Sequence, residues 1–253
     1  MWGDFLGDNR EMWSQYLKEF NENSMFSNDL IHLGLGLHGI ATSDIVKGAE
    51  TVLDVGCGDG VNTAIFASDK NVKQVVGLDL SEKMILDNRM KYRKNSVLFE
   101  VGDFLHNNLN SCFELVVFIG SLDYIELSRA FFKKLNQLTK IGSRCYVAKF
   151  HPFWTSLFAN DDDTLELQNY FAKRVDQITY GKKKQYTFSR YHYSISDVIK
   201  NFRNNRWELS FLDEPEPCIA DSAYKYKDYD KDELLMEKMK KVPMTIIMEF
   251  ERI

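Results

Sequence analysis

The chain has 253 residues, of which 44% are hydrophobic and 13% aromatic, which is enough apolar surface for one sizeable core. Charged residues make up 27% and the formal net charge is -5, so the sequence lacks the overall basic field that holds proteins on nucleic acid. No stretch approaches the roughly 20 consecutive apolar residues of a membrane span, and the N-terminus lacks a basic region followed by an apolar run. We therefore expect one cytoplasmic domain, residues 1–253. We expect neither a membrane nor a nucleic acid as its partner.

The cysteines are spread along the chain and form no C-x-x-C pair. This spacing suggests neither a zinc knuckle nor a disulfide framework, and we expect reduced thiols and no metal site. The four cysteines are Cys57, Cys112, Cys145 and Cys218.

Residues 9–42 carry apolar positions at mixed three- and four-residue spacing, which predicts two amphipathic helices ahead of the main fold. We assign residues 1–48 to this N-terminal helical cap. Trp2, Trp13 and Tyr16 are candidates for a lid over the bound ligand, because mobile lids exclude water from such sites. Trp13 and Tyr16 can equally belong to the core face of one helix.

From residue 50 onward, short apolar runs bounded by turn residues alternate with helical stretches. The runs are TVLDVG, VVGLDL, SVLFEVGD, FELVVFIG and RCYVAKF, and the helical stretches are NTAIFASDK, SEKMILDNRMKY and LSRAFFKKLNQL. Strands that alternate with helices predict a parallel sheet with helices on both faces. Residues 49–152 therefore form the predicted α/β core.

The alternation stops after Pro152, and residues 153–192 form a polar, aromatic-rich insertion. Residues 193–253 are expected to complete the sheet. Within them, SISDVIKNFRNN predicts a helix with Ser194 or Ser196 as its N-cap, WELSFLDEPEP a strand ended by prolines, and DKDELLMEKMKK another helix. The closing VPMTIIMEFERI has the pattern of a strand, which predicts a C-terminal hairpin.

The strongest motif is LDVGCGDG at residues 53–60, a buried strand that ends in a glycine loop and opens a helix. Glycines let a ligand approach the main chain closely, although this pattern alone is weak evidence. Asp79 ends the next apolar run, 21 residues beyond Gly58, near the roughly 20-residue spacing at which an acid reaches ribose hydroxyls. Asp103 follows the third run, where its carboxylate can accept from an adenine amino group while Phe104 covers the ring.

The details of the glycine loop favour one nucleoside cofactor over another. A dinucleotide site usually keeps a G-x-G-x-x-G spacing, whereas here Gly60 comes one place early and Val61 occupies the usual position. Asp54 would put a negative charge close to a pyrophosphate, but it suits the ammonium group of an amino acid. The acid favours S-adenosylmethionine (SAM) over NAD. An NAD-dependent oxidoreductase and a non-catalytic SAM-binding regulatory protein remain as alternatives.

LDVGCGDG, GLDLSEKMI, EVGDF and FELVVFIGSLDYI are similar to the successive motifs of class I SAM-dependent methyltransferases, and especially resemble the UbiE-like small-molecule branch. The similarity is most specific over residues 50–150. Weaker similarity follows in KFHPF, SRYHYSISDVI and VPMTIIM. The chain departs from the family at residues 139–143, where an L-K-P-G-G turn is usual, and at Tyr193, which replaces the arginine after His192. The resemblance implies a Rossmann-like, doubly wound, mostly parallel seven-stranded sheet with an antiparallel C-terminal hairpin and a helical N-terminal cap.

The same resemblance implies which residues hold SAM and its product S-adenosylhomocysteine (SAH). These residues follow the ends of four successive strands. They are Asp54, Gly56 and Gly58 at the methionyl end, Asp79 and Leu80 at the ribose and adenine, Asp103 and Phe104 at the adenine, and Gly120 and Ser121 at the other side of the methionyl group.

Methyl transfer from a sulfonium is an in-line displacement, for which the protein mainly supplies alignment and a dry site. An acceptor hydroxyl also needs its proton removed, and the candidates near the expected methyl group are Asp123, Tyr124, His151 and His192. His192 is the first choice, since the resemblance places it facing the pocket and the reference pKa of histidine is near neutrality. Either histidine can equally be a hydrogen-bonded structural residue.

Basic and aromatic residues surround the expected acceptor site. They suggest a small-molecule acceptor, methylated on an oxygen, that is phosphorylated, carboxylated or sugar-like. Arg190 and Lys149 would bind its anionic group, and Tyr124 and Tyr191 complete the expected substrate-binding set. The Lys182–Lys184 triplet is better explained as a solvated charge run. The expected assembly is a monomer or a homodimer.

Overall fold

The computed structural model describes residues 42–94, 96–159, 165–180, 186–215 and 241–253. Most of the predicted N-terminal cap lies outside these residues, including Trp2, Trp13 and Tyr16. Lys182–Lys184, and all but the last residue of the helix predicted at 230–241, also lie outside them. Within the described part of the chain, no helix is long and apolar enough to cross a membrane.

Eleven strands occur in the described residues, and seven of them form one sheet. In chain order the strands are β1 (Thr51–Val55), β2 (Gln74–Asp79), β3 (Val97–Val101), β4 (Phe113–Ile119), β5 (Thr139–Phe150), β6 (Leu157–Ala159), β7 (Leu165–Leu167), β8 (Arg174–Tyr180), β9 (Tyr186–His192), β10 (Trp207–Asp213) and β11 (Thr245–Arg252). The large sheet has the order β10-β11-β5-β4-β1-β2-β3. Strands β1 to β5 are parallel, while β11 pairs antiparallel with both β5 and β10.

The described residues contain six helices, three of which begin at a serine N-cap. They are α1 (Thr42–Val46), α2 (Val61–Phe66), α3 (Glu82–Lys91), α4 (Arg129–Gln137), α5 (Pro152–Thr155) and α6 (Ile195–Asn204), with a short 3-10 turn at Leu122–Tyr124. Ser81, Ser128 and Ser194 cap α3, α4 and α6, each accepting a hydrogen bond from a backbone N–H of the first turn. Of the two caps predicted for α6, Ser194 is the one used.

Apolar side chains on the two faces of the sheet form two separate cores. On one face, Phe131 of α4 and Phe202 of α6 pack against Phe118 and Phe250, and the rings of Phe202 and Phe250 stack with centroids 3.9 Å apart. The other face is covered by α1, α2 and α3, with Phe66 fully buried there. Burial on both faces explains why the central strands are nearly continuous apolar runs.

The structure confirms the predicted doubly wound sheet and its antiparallel C-terminal pair, β10 and β11. The insertion at 153–192 contributes two small sheets, β6–β7 and β8–β9. Residues 139–143, where the family that the sequence resembles usually has a turn, lie within β5. There Gly142 has a φ of +82°, and the Ser143 hydroxyl accepts from Lys140 N and donates to the carbonyl oxygen of Phe113. These contacts continue the pairing of β5 with β4 as an irregular extension.

Candidate active site

The loop after β1 is fastened to the end of the neighbouring strand β2. The backbone N–H of Gly56 donates to the carbonyl oxygen of Leu78 at 2.7 Å, and that of Gly58 donates to Oδ2 of Asp79 at 3.0 Å. The glycine loop and the strand-end acid predicted from sequence are therefore in direct contact. This contact lies at the carboxyl edge of a parallel sheet, where open α/β folds bind ligands.

Two glycines of this loop are required for different reasons. Gly56 has a φ of +73°, and a Cβ at this position would lie 2.5 Å from Cβ of Ser121, so the end of β4 packs directly on the loop. Gly58 has a φ of +52°, but a Cβ there would meet no atom of the described residues within 4 Å. These residues therefore leave space beside Gly58 through which a ligand can approach its backbone.

Asp54 is buried in β1, with 2% of its surface exposed, and accepts a hydrogen bond from the Thr63 hydroxyl at 2.6 Å. Burial and, to a smaller extent, the nearby Asp79 and Asp59 carboxylates together raise the pKa of Asp54 to about 7, against the opposing hydrogen bond from Thr63. The contact links β1 to α2. An ammonium group beside Asp54 would favour its ionised form.

Both oxygens of Asp79 accept backbone hydrogen bonds, Oδ2 from Gly58 and Oδ1 from Ser81 at 2.8 Å. Burial raises its pKa, while these hydrogen bonds act in the opposite direction. Each carboxylate oxygen has a second lone pair, so Asp79 can still accept from a pair of hydroxyl groups. Leu80, the next residue, is half-buried.

Asn88 of α3 supports the loop, and sequence reasoning missed it. Its buried side-chain amide donates to the carbonyl oxygen of Gly58 at 2.7 Å, and a Cβ on Gly60 would lie 3.0 Å from the same amide. The available signal was its spacing, since Asn88 follows the buried Ile85 by three residues on one helix face. A polar residue on an apolar helix face marks a specific contact.

Asp103 and Phe104 follow β3 but occupy different environments. Asp103 uses Oδ1 for its contacts with the backbone N–H groups of Leu105 and His106 and with the His106 ring. Phe104 is buried in the core, with its ring 5.3 Å from that of Phe118. Because its ring fills the apolar layer under α4, the structure favours a core role for Phe104 over the predicted role of covering an adenine ring, which stays a prediction.

Gly120 and Ser121 join the end of β4 to both neighbouring strands. Gly120 N donates to the carbonyl oxygen of Ala148 at 2.8 Å, and the Ser121 hydroxyl donates to that of Val55. Both residues are half-buried. The predicted cofactor residues of β1, β2 and β4 thus lie together, with Asp103 beyond them after the adjacent strand β3.

Asp123 and Lys149, which sequence reasoning assigned to separate roles, form an ion pair. Asp123 lies in the 3-10 turn after β4 and Lys149 near the end of β5, with Lys149 Nζ 2.6 Å from Asp123 Oδ1. Their side chains are 4% and 5% exposed. Asp123 is therefore compensated by a cation, which disfavours it as a free base.

His151 has both ring nitrogens engaged. Nδ1 accepts from the backbone N–H of Phe153, which caps α5, so the proton of the neutral ring lies on Nε2 and is donated to Glu214 at 2.7 Å. Burial, together with the positive charge of Lys149, lowers the pKa of His151 against the opposing effect of Glu214. This arrangement supports the structural alternative for His151.

His192 is also held on both sides. Nε2 donates to the carbonyl oxygen of Tyr170 at 2.9 Å, and Nδ1 lies 3.2 Å from the Thr155 hydroxyl. Burial lowers its pKa, and the positive charges of Arg174 and Lys149 contribute. His192, our first choice for a general base, is therefore a buried residue whose hydrogen bonds link β9 to Thr155 of α5 and to Tyr170 before β8.

Strand β9, which pairs with β8, lies against the 3-10 turn, and β9 and the turn carry the remaining predicted acceptor residues. Arg190 contacts Asp176 at 3.3 Å and is 15% exposed, while Arg174 contacts the same carboxylate at 2.7 Å. Tyr124 and Tyr191 are half-buried. Since two guanidinium groups share one carboxylate, this group of three residues carries net positive charge.

Comparison with known proteins agrees with this geometry. A model of the methyltransferase domain matches residues 46–201, which is more than half of the chain. The protein belongs to this methyltransferase-domain family. The sequence is 32% identical over 101 residues to 235L, a candidate methyltransferase of Invertebrate iridescent virus 6, and 33% identical over 115 residues to the ribosomal protein L11 methyltransferase of Aquifex aeolicus. These matches span 39% and 43% of the chain, and 36% and 46% of the relatives, so the chain covers less than half the length of either relative.

Solved structures share the fold over most of the chain. A candidate SAM-dependent methyltransferase from Listeria monocytogenes superposes with a TM-score of 0.68 at 20% identity, covering 88% of this chain and 99% of that protein. The 1,6-didemethyltoxoflavin-N1-methyltransferase of Burkholderia thailandensis, solved with its substrate and SAH, gives 0.58 at 12% identity, covering 96% and 88%. The methyltransferase family and the Rossmann-like fold implied by the resemblance are thereby confirmed, and SAM or SAH is named for both of these solved structures. The UbiE-like branch stays a prediction.

Proposed function

We propose that this protein transfers the methyl group of SAM to an oxygen of a small polar or anionic acceptor. The observation that carries the proposal is the contact between Gly58 and Asp79, beside space that the described part of the chain leaves open at the glycine loop. In this contact, a backbone that a ligand can approach lies next to an acid that is suited to bind a ribose. The NAD-dependent alternative is less favoured, because Asp54 lies buried behind the loop where a pyrophosphate would be repelled.

In this proposal each strand-end acid binds a different part of the cofactor. Asp54 would favour the methionyl ammonium, Asp79 would accept from the ribose hydroxyls, and Asp103 would accept from the adenine amino group through its second oxygen. Gly120 and Ser121 would border the methionyl group from β4. The bound sulfonium supplies the electrophilic methyl, while these residues orient it.

The acceptor would lie between the 3-10 turn and β9. Arg190 supports an anionic acceptor, since within the described residues its guanidinium makes one ion pair, and it shares that carboxylate with Arg174. A planar guanidinium with donors to spare suits a carboxylate or a phosphate. The half-buried positions of Tyr124 and Tyr191 favour a small molecule over a protein surface.

Two measurements test the proposed function. Calorimetry with SAM, SAH and NAD should give binding for the first two ligands and none for NAD. Assay of SAH release against pooled metabolites, including phosphorylated sugars and carboxylic acids, should then give turnover. Tight NAD binding without SAM binding overturns the cofactor assignment, whereas SAM binding without turnover on any pool favours the non-catalytic regulator. A monomeric or homodimeric assembly remains a prediction.

A further inference from the structure

The Lys149–Asp123 pair occupies the junction between the candidate cofactor loop and the acceptor strands. Asp123 follows Ser121, the residue on which Gly56 packs, by two positions. Tyr124, the residue that follows Asp123, lies against Phe188 of β9 with ring centroids 6.5 Å apart. A charge at this position is adjacent both to the expected methyl donor and to the expected acceptor.

Lys149 keeps hydrogen-bonding capacity at this junction. An ammonium group has three donors, and Asp123 is the partner of Nζ within the described residues. The charged and titratable groups that face Lys149 are Asp123 from the turn, His151 from the start of α5 and His192 from β9. A buried cation with unused donors is poised to bind an oxygen.

Among the residues that the structure describes, the same surroundings offer little for removing a proton. Both ring nitrogens of His151 and His192 are engaged, and Asp123 is paired with Lys149. An aliphatic hydroxyl must lose its proton during transfer, whereas an oxygen that is already ionised need not. The arrangement therefore suits an acceptor that arrives as an anion.

We infer that the Lys149 ammonium, held in place by the Asp123 carboxylate, stabilises the reacting oxygen of the acceptor as an anion. This inference rests on the proposed function and narrows its acceptor to a phenol or a carboxylic acid, excluding a sugar hydroxyl. The acceptor releases its proton to solvent before binding. Its oxygen then forms a bond to the methyl carbon while the carbon–sulfur bond breaks and the electron pair goes to sulfur, giving a neutral methyl ether or ester and SAH. Lys149 is then a catalytic residue and Asp123 a positioning residue.

The test uses 4-nitrophenol as the acidic probe and 4-nitrobenzyl alcohol as the neutral one, with the full chain saturated with SAH. Because an opposite charge within reach favours the ionised form, the ionisation constant of 4-nitrophenol should rise about tenfold or more on binding, measured by phenolate absorbance. Lys149→Met should abolish this change. Lys140→Met is the matched control, since Lys140 lies at the far end of the same strand and its side chain is 61% exposed.

The double variant Asp123→Asn with Lys149→Met guards against a folding defect, because it leaves no unpaired charge in the buried site. It should bind SAH normally and still fail to ionise 4-nitrophenol. Any one of three results would overturn the inference. These are an ionisation constant of 4-nitrophenol that wild type leaves unchanged, a change in that constant by Lys149→Met as large as that by wild type, and binding of 4-nitrobenzyl alcohol to wild type as tight as that of 4-nitrophenol. Failure of SAH binding by wild type would instead count against the proposed function.

Discussion

The carboxylate of Asp79 accepts a hydrogen bond from the backbone of Gly58 at 3.0 Å, although 21 residues separate them in sequence. This contact makes the first and second strand ends one unit, so that a ligand contacting the glycine loop also meets the acid. The order of the sheet explains the proximity, since β1 and β2 are parallel neighbours whose carboxyl ends meet at one edge.

Asp79→Asn tests the role of this acid in cofactor binding. The amide is nearly isosteric but loses the charge, and hydrogen bonds to charged groups contribute about 1.5–3 kcal/mol, so SAM affinity should fall by about one to two orders of magnitude. Calorimetry measures the change. Asp87→Asn is the control, because the Asp87 side chain of α3 is 41% exposed and pairs with Lys83, and the SAM affinity of this variant should match that of wild type. Equal affinities for both variants would remove Asp79 from the site.

Alanine at two loop glycines should separate folding from binding. Gly56→Ala puts a Cβ 2.5 Å from that of Ser121 at a φ of +73°, and should lower the melting temperature strongly. Gly58→Ala has room for its Cβ, so it should cost only about 1–2 kcal/mol of stability for the left-handed backbone while SAM affinity falls. Thermal unfolding and calorimetry give the two quantities. Unchanged SAM affinity in Gly58→Ala would place the ligand elsewhere.

The strand ends could be predicted because their signals are local. Each core strand is a short apolar run that stops at a glycine or an acid, and strand alternation alone brings Asp54, Asp79 and Asp103 to one edge of the sheet. Asn88 could not be placed in the same way, since its contact with Gly58 depends on how α3 packs.

The roles of individual side chains required geometry that the sequence does not carry. Phe104 follows an acid at a strand end, but only packing decides whether its ring faces a ligand or the core. Lys149 and Asp123 each had a reasonable separate role, and their pairing depends on the adjacency of β4 and β5. The histidine partners, Glu214 and the carbonyl of Tyr170, lie outside the regular strand and helix pattern.

Breaking the buried pair should destabilise the fold more than breaking an exposed one. Asp123→Asn leaves Lys149 buried without its counter-charge, which should cost about 3–5 kcal/mol of unfolding free energy, measured by urea denaturation. Lys73→Met breaks a pair whose side chains are 69% and 53% exposed, and should cost at most about 1 kcal/mol. Removing both charges, with Asp123→Asn and Lys149→Met together, should restore much of the loss. A double variant less stable than Asp123→Asn would contradict this account of the pair.

His192→Ala distinguishes a structural histidine from a catalytic base. Loss of the hydrogen bonds to Tyr170 and Thr155 should lower the unfolding free energy by about 1–3 kcal/mol. In the folded variant kcat should change less than tenfold, whereas removal of a general base typically costs about 10²- to 10⁴-fold. The measurements are urea unfolding and kcat at a temperature where the variant is folded. A loss of kcat in the larger range, with stability unchanged, would return the base role to His192.

The pH dependence of SAM binding should follow Asp54. Its pKa in the free protein is raised to about 7 by burial, and an ammonium ligand favours the ionised carboxylate, so affinity should rise as pH increases toward and through about 7. The stability of the free protein should respond in the opposite sense. Since the folded pKa lies above the unfolded value of 3.8, the folded state binds the proton more tightly, and this contribution to stability is lost as pH rises between the two values.

Thr63→Val makes this last prediction specific to Asp54. Removing the hydroxyl that donates to Asp54 removes an interaction that lowers its pKa, so the midpoint of the pH dependence of SAM affinity should move to higher pH. Asp54→Asn should flatten the same profile, since the amide does not titrate in this range. Calorimetry at a series of pH values measures the midpoint, with proton uptake checked in buffers of different ionisation enthalpy. A profile that keeps its wild-type midpoint in both variants would show that another group controls the binding of the cofactor.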